Sequence, residues 1–484
     1  MSASTRTIVI YGNSFAAHLT AAACATSLGQ DTRIVHIAPE GDAESDLMYG
    51  SATAPNAYDF FRMVGLDEPT LVARTSASFS YGTQFRNWPG RNSAWIQTFH
   101  LPLPNPAGIP LQHFLTQRSE PLESYLVSAQ AALSGAFAHP PADPKLPLSR
   151  AEYGYNISVR ELSRLVAELN TLRSIERVSE GVTEIEVREG RIESLRLESN
   201  RSLQADLFVD CSGEERRLIH ATGGEFRPNR TLKAHLLVEE SSEIGAPCRS
   251  LEAQPNGWKS VTPLQGRREV LILHSPNGAA KTPVASSSIA TATVQAGAPD
   301  DAWLGNCVAV GHAAWMLEPI TPAPMMLLQR DIERLLDLIP VTANCSVERR
   351  EYNRRFTEDL EHASAFQRTL FCVDDVPQFP YWQDAAAQPV PDRLRRKLAQ
   401  FESRGLLVRY DLEPFNAEDW TILLNGMGLK PKRYDRQVDA VDQTAIEQQL
   451  AGLKAAVSQM VSKMPPHHVY LTNLKRYLEK QKNG

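Results

Sequence analysis

The stretch that most constrains this chain is its first, residues 5–37. From residue 6 it reads RTIVIYGNSFAAHLTAAACATSLGQDTRIVHI. Ile8, Val9 and Ile10 form a short β-branched run of the kind that suits a strand buried on both faces. Gly12-Asn13-Ser14 predicts a tight turn, 15–27 a helix of small residues stopped by Gly29, and 32–37 a second strand. Together they read as the opening β-α-β of a dinucleotide-binding fold. There the glycine turn lets backbone approach a pyrophosphate, and the helix N-terminus offers free N–H groups.

The usual G-x-G-x-x-G pattern is altered to Gly12-x-Ser14-x-x-Ala17, and His36 stands where an acid would hold a ribose hydroxyl. The pattern predicts the β-α-β unit but leaves open whether it holds a nucleotide. Rossmann-like packing with impaired nucleotide affinity is the alternative.

At 484 residues the chain exceeds one hydrophobic core, so two or three subdomains are expected. A net charge of −6 gives no electrostatic case for nucleic acid. No apolar run is long enough to span a bilayer, and no signal-peptide pattern precedes the first strand. Six scattered cysteines without C-x-x-C spacing suit a reduced, cytoplasmic protein with no metal site.

Further along, 76–88 reads as strand followed by turn, and the proline- and aromatic-rich 89–150 as a loop-rich cap. An amphipathic helix is expected over 159–172, carrying Leu162, Leu165, Val166 and Leu169 on one face. Strands are predicted over 182–187, 192–198 and 203–209, a β-rich insertion over 226–295, a strand at 306–310 ending in Gly311, and a helix over 324–338. The His467-His468 pair reads as part of a solvated loop, because adjacent residues do not face one ligand position.

Several ordered segments now support a resemblance. FVDCSGEERRLI (208–219), NCVAVGHAAWMLEPI (306–320), EYNRRF (351–356), FNAEDWTILLNGMGLKPKRY (415–434) and the MPPHH at 464–468 are similar to segments of the flavin-dependent tryptophan halogenases, within the flavin monooxygenase class. The resemblance implies an α/β fold: a Rossmann-like FAD-binding domain of flavin monooxygenase type, a mixed substrate cap and a helical C-terminal module. Core parts are expected at 1–88, 151–225 and 301–345, cap parts at 89–150 and 226–300, and the helical module at 346–484. The cofactor-binding residues it implies are Gly12, Asn13, Ser14, Phe15, Ala16, Ala17, His36, Gly50, Ser51, Ala52, Val182 and Gly311. Trp258, Ser260 and Pro263 are implied for the substrate pocket.

In that family, reduced FAD and O₂ oxidise halide to hypohalous acid. The acid crosses a tunnel to a lysine between the flavin and substrate pockets, and a glutamate assists at the substrate. The matching positions here are Ser80 and Thr321. A serine hydroxyl is a poor substitute for an amine and leaves no cation to polarise the acid. Pro322 and Pro324 remove N–H donors that a halide would need. The second tryptophan of G-W-x-W-x-I-P is Ser260.

The expectation is therefore an FAD-dependent oxidoreductase that oxygenates an aromatic or indole-like substrate without halogenating it. Its reduced FAD would come from a separate flavin reductase, its substrate would be a small molecule or a peptide, and a homodimer is left open. A non-catalytic relative that keeps the pocket for a ligand or partner protein is the alternative.

Overall fold

The computed structural model describes residues 6–41, 43–89, 94–99, 103–146, 148–149, 151–277, 288–342, 344–372 and 376–482. Its first sheet has six strands, in the order Trp303–Leu304, Cys307–Ala309, Leu207–Asp210, Arg6–Tyr11, Thr32–Ile37, Glu176–Val178. All pairs are parallel except the hairpin of Trp303–Leu304 with Cys307–Ala309. The apolar run at Ile8–Ile10 is buried on both faces, as a central parallel strand requires. The helix Phe15–Ser27 carries Ala16, Ala17 and Ala21 to Ala23 inside, and these small residues let Val159–Asn170 and Ala323–Asp337 pack closely on it. Leu162, Leu165 and Val166 face inward from Val159–Asn170. The 203–209 strand of the sequence reading divides in two: Ser202–Leu203 joins a separate three-stranded sheet, and Leu207–Asp210 joins the parallel one.

The second sheet has seven strands: Ala290–Ala298, Arg227–Glu240, Arg267–His274, Gly257–Leu264, Arg249–Gln254, Gly82–Arg86, Trp95–Thr98. Arg249–Gln254 and Gly82–Arg86 run parallel, and the other neighbours are antiparallel. Residues 76–88 are thus two strands rather than one. Ser78–Ser80 pairs with Gly154–Asn156 in its own small sheet, while Gly82–Arg86 joins the large one. Gly82 makes the switch. Its φ is +141°, and a Cβ there would run into the Gln97 carbonyl.

The C-terminal part is helical, and its last helix, His467–Lys482, returns to the start of the chain. His467 is buried rather than solvated: its Nε2 accepts from the Phe79 N–H (3.3 Å) and its Nδ1 donates to the Gly245 carbonyl (2.9 Å). Among the described residues no helix is long and apolar enough to cross a membrane.

Candidate active site

The carboxyl ends of Arg6–Tyr11 and Leu207–Asp210 open the cleft where a parallel sheet of this kind takes its ligand. Gly12 sits so close to the Cys211 carbonyl that a Cβ would collide with it, so packing alone requires this glycine. Ser14 is the N-cap of Phe15–Ser27. Its Oγ accepts from the Ala17 N–H (3.2 Å) and donates to the Cys211 carbonyl (2.7 Å). The Phe15 N–H is met by Asp46, whose Oδ2 lies 2.7 Å away. A carboxylate of the chain itself therefore stands on the positive end of this helix, where a ligand phosphate would be held. Asp46 belongs to the short 3-10 turn Glu44–Tyr49, which packs between the first helix, Val159–Asn170 and the large sheet.

His36 does not face a ribose. Its buried ring stands edge-on to His18 (5.5 Å) and donates from Nε2 to the Gly12 carbonyl (2.9 Å). Burial pushes its pKa down to about 4 and that of His18 to about 3, so both are neutral at pH 7. Beside them lies a cavity of about 240 Å³ lined by Asn13, His18, Asp46, Arg160, Arg164 and Arg177, among others. Of the residues expected to hold the cofactor, Asn13 lines this cavity, and its amide also donates to the Gly41 carbonyl (2.7 Å). Three guanidinium groups around a helix N-terminus suit a diphosphate. The helix period marks Leu162 and its neighbours as core but carries no signal for Arg160 and Arg164 on the same helix.

Farther in, the cleft is filled. The Tyr49 ring stacks on His312 (3.7 Å between centroids, 10° between planes), and its hydroxyl accepts from the His312 N–H (3.0 Å). Tyr49 and Ala16 occupy the space against Gly311, and Pro319 lies against Gly50. Phe15 meets Tyr49 edge-on (5.7 Å), and the Trp315 indole donates to Asp331 (2.7 Å). Ser51 shares a hydrogen bond with Thr262, Ala52 bridges to Asn156, and the Val182 carbonyl accepts from Arg217. At the rim, Arg216 lies over Phe226 (3.4 Å), and its buried Nε and Nη2 lack partners. The three arginines of the cavity would suit the diphosphate of an FAD molecule, while Asp46 stands against it on the helix N-terminus. Tyr49, His312 and Trp315 pack on one another in this part of the cleft.

Ser80 is fully buried, and its Oγ forms 3.2 Å contacts with the N–H and carbonyl of Gly82. Thr321 accepts through Oγ1 from the Ala323 N–H (3.3 Å) and from Gln367 (3.1 Å). Trp258 and Ser260 share the buried face of Gly257–Leu264, while Pro263 lies on the opposite face, where its carbonyl accepts from Ser78. Pro263 is thus separated from the other two residues expected in the substrate pocket.

Two groups here escaped the sequence reading. Glu318 is buried and fully paired: it forms an ion pair with Arg230 and accepts from the Tyr381 hydroxyl (2.6 Å) and the Trp258 indole (3.2 Å). Arg249 is 1 % exposed. Its Nη1 donates to the Pro319 carbonyl (2.7 Å) and its Nη2 to the Ile320 carbonyl. Strand alternation was the available signal, because it places Arg249 on the same face as Leu251 and Ala253.

The family profile of tryptophan halogenases matches residues 7–443. This chain belongs to the tryptophan halogenase family. Among its relatives, tryptophan 6-halogenase ThaL of Streptomyces albogriseolus is 25% identical over 97% of this chain and 98% of its own length. The halogenase fold is shared with two solved flavin-dependent halogenases. BrvH from Brevundimonas sp. BAL3 has a TM-score of 0.88 and 26% identity, covering 98% of this chain and all of BrvH. Xcc4156 from Xanthomonas campestris also has a TM-score of 0.88, with 25% identity, covering 97% of this chain and 98% of Xcc4156. Halogenases are oxidoreductases, and that is the enzyme class of the family to which this chain belongs.

Proposed function

We propose that this halogenase-family protein is an FAD-dependent oxidoreductase that oxygenates an aromatic or indole-like substrate and does not halogenate it. The observation that carries this reading is the pair Ser80 and Thr321. Both are buried hydroxyls engaged with neighbouring backbone or amide groups, where an ammonium and a carboxylate would otherwise work. Bound reduced flavin, delivered by a separate flavin reductase, would supply the electrons that activate O₂. Arg160, Arg164 and Arg177 would hold its diphosphate, and the cap would receive a small-molecule or peptide substrate. The test is incubation with reduced FAD, O₂, bromide and a panel of indoles. Reduced flavin should be consumed without enzyme-dependent brominated product; accumulation of such product overturns the reading.

A second reading is favoured by the Tyr49–His312 stack: a non-catalytic relative that keeps the cleft for a smaller ligand or a partner protein. Protein that purifies colourless and takes up no added FAD supports it. A yellow, FAD-loaded protein excludes it.

A further inference from the structure

We propose that His235 and His274, on neighbouring strands of the large sheet, form a binding site for a late first-row divalent metal ion of the zinc or copper type. Arg227–Glu240 and Arg267–His274 pair antiparallel, with His235 opposite Ile272 and Lys233 opposite His274. The two histidines are therefore diagonal neighbours on one face, the face opposite to Trp258 and Ser260. Their Nε2 atoms lie 3.2 Å apart while the ring centroids are 5.3 Å apart, with 8° between the planes. The rings thus meet edge to edge, nitrogen to nitrogen, rather than face to face. At a Zn–N length of about 2.0–2.1 Å, two nitrogens 3.2 Å apart subtend about 100–106° at a shared ion, close to the tetrahedral angle.

The outer nitrogens are arranged for the same purpose. His274 Nδ1 lies 2.7 Å from the Ser275 carbonyl, which can only accept, so the neutral ring carries its proton there and a lone pair on Nε2. His235 Nδ1 lies 3.2 Å from the Thr291 hydroxyl, which can accept or donate. Without a metal, the His235 proton sits on Nε2 and is shared with His274. Moved to Nδ1, it is accepted by Thr291, and two Nε2 lone pairs then face each other with no change in the backbone. An ion between them takes the place of the proton, and each ring donates its other N–H to an oxygen, as metal-bound imidazoles do.

His235 is 7 % exposed, and burial, His274 and Lys233 lower its pKa, which keeps the ring in the neutral form that binds metal. Lys233 and Lys259 share this face, and their charges oppose a dication, so the site is weaker than one built with carboxylates. Among the described residues no third His, Cys, Asp or Glu completes the set, and water would fill the remaining positions. Two imidazoles suit zinc or copper, whereas calcium and magnesium take oxygen ligands. Neither histidine lines the nucleotide cavity, so this site is independent of the flavin reading.

The test is calorimetric titration of the full chain with zinc near neutral pH, with magnesium as the control ion, for the unsubstituted protein, His235→Gln and His274→Gln. The unsubstituted protein should bind a zinc ion that each variant binds about tenfold more weakly or worse, and magnesium should not bind there. Equal zinc affinity in all three proteins overturns the proposal, as does a site that takes magnesium equally well. Should the variants fail to fold, crystals of the unsubstituted protein soaked in zinc decide. An anomalous peak at bonding distance from both Nε2 atoms upholds the site, whereas zinc elsewhere on the molecule, as an adventitious ion only, overturns it.

Discussion

Replacing Asp46 with asparagine or alanine tests how the cleft is closed. Asp46 now meets the Phe15 N–H at 2.7 Å, on the first turn of a 13-residue helix. A hydrogen bond to a charged acceptor contributes about 1.5–3 kcal/mol, and the favourable placement on the helix dipole is part of that. Asp46→Ala should therefore lower unfolding stability by about 1–3 kcal/mol, and Asp46→Asn by less. The effect on a phosphate ligand has the opposite sign. The substitution frees the N–H that the phosphate needs and removes a like charge from the cavity of Arg160, Arg164 and Arg177. The same scale predicts a gain in affinity of about 10- to 150-fold for FAD and for ADP. Titration calorimetry measures the affinity, and urea unfolding measures the stability. If Asp46→Ala loses stability yet binds both nucleotides no better than the unsubstituted protein, the carboxylate is not standing in a phosphate site.

Other outcomes follow from buried charge. Burial raises the pKa of Glu269 to about 7 from 4.5, so the stability its protonated form supplies is full below about pH 4.5 and lost as pH rises through about 7. Glu269→Gln should flatten a loss on the order of 3 kcal/mol in a pH series of urea unfolding. His18 and His312 (about 3) and His36 and His467 (about 4) are held neutral by burial, so the stability they support is full above 6.5 and falls as pH drops toward 4. His36→Gln should shallow that acid slope in the same series. Lys397 pairs with Glu413 at 2.5 Å in the interior, and Glu413 also accepts from the Trp420 indole and the Tyr410 N–H. Lys397→Met should destabilise by about 3–5 kcal/mol on denaturant titration, and adding Glu413→Gln should recover much of it.

The opening β-α-β was legible because its residues satisfy local rules: β-branched residues in the strand, small ones in the helix, glycine where Cys211 crowds the turn. Ser14 departs from the G-x-G-x-x-G pattern and serves as a helix cap, a role that its residue type allows and a fingerprint conceals. The switch at Gly82 was missed because both halves of 76–88 have strand composition, and only the partners, 154–156 and 249–254, decide the sheet. Tyr49, Asp46 and Arg249 act through residues far away in sequence. No local period announces that Tyr49 will meet His312, or that Arg249 will reach Pro319.

The bond between Phe79 and His467 joins residues 388 positions apart. In the central sheet, the strand at 6–11 likewise waits for 207–210 to join it beside 32–37, and 307–309 then pairs with 207–210. During synthesis, then, the first hundred residues cannot complete their packing until nearly the whole chain has emerged, and their apolar strands stay exposed meanwhile. A chain released before residue 467 leaves the Phe79 N–H without its acceptor and the Gly245 carbonyl without its donor. The last helix thus supplies, through His467, a contact that joins two segments made hundreds of residues earlier, so a chain truncated ahead of it should lose that tie while keeping the sheets it links.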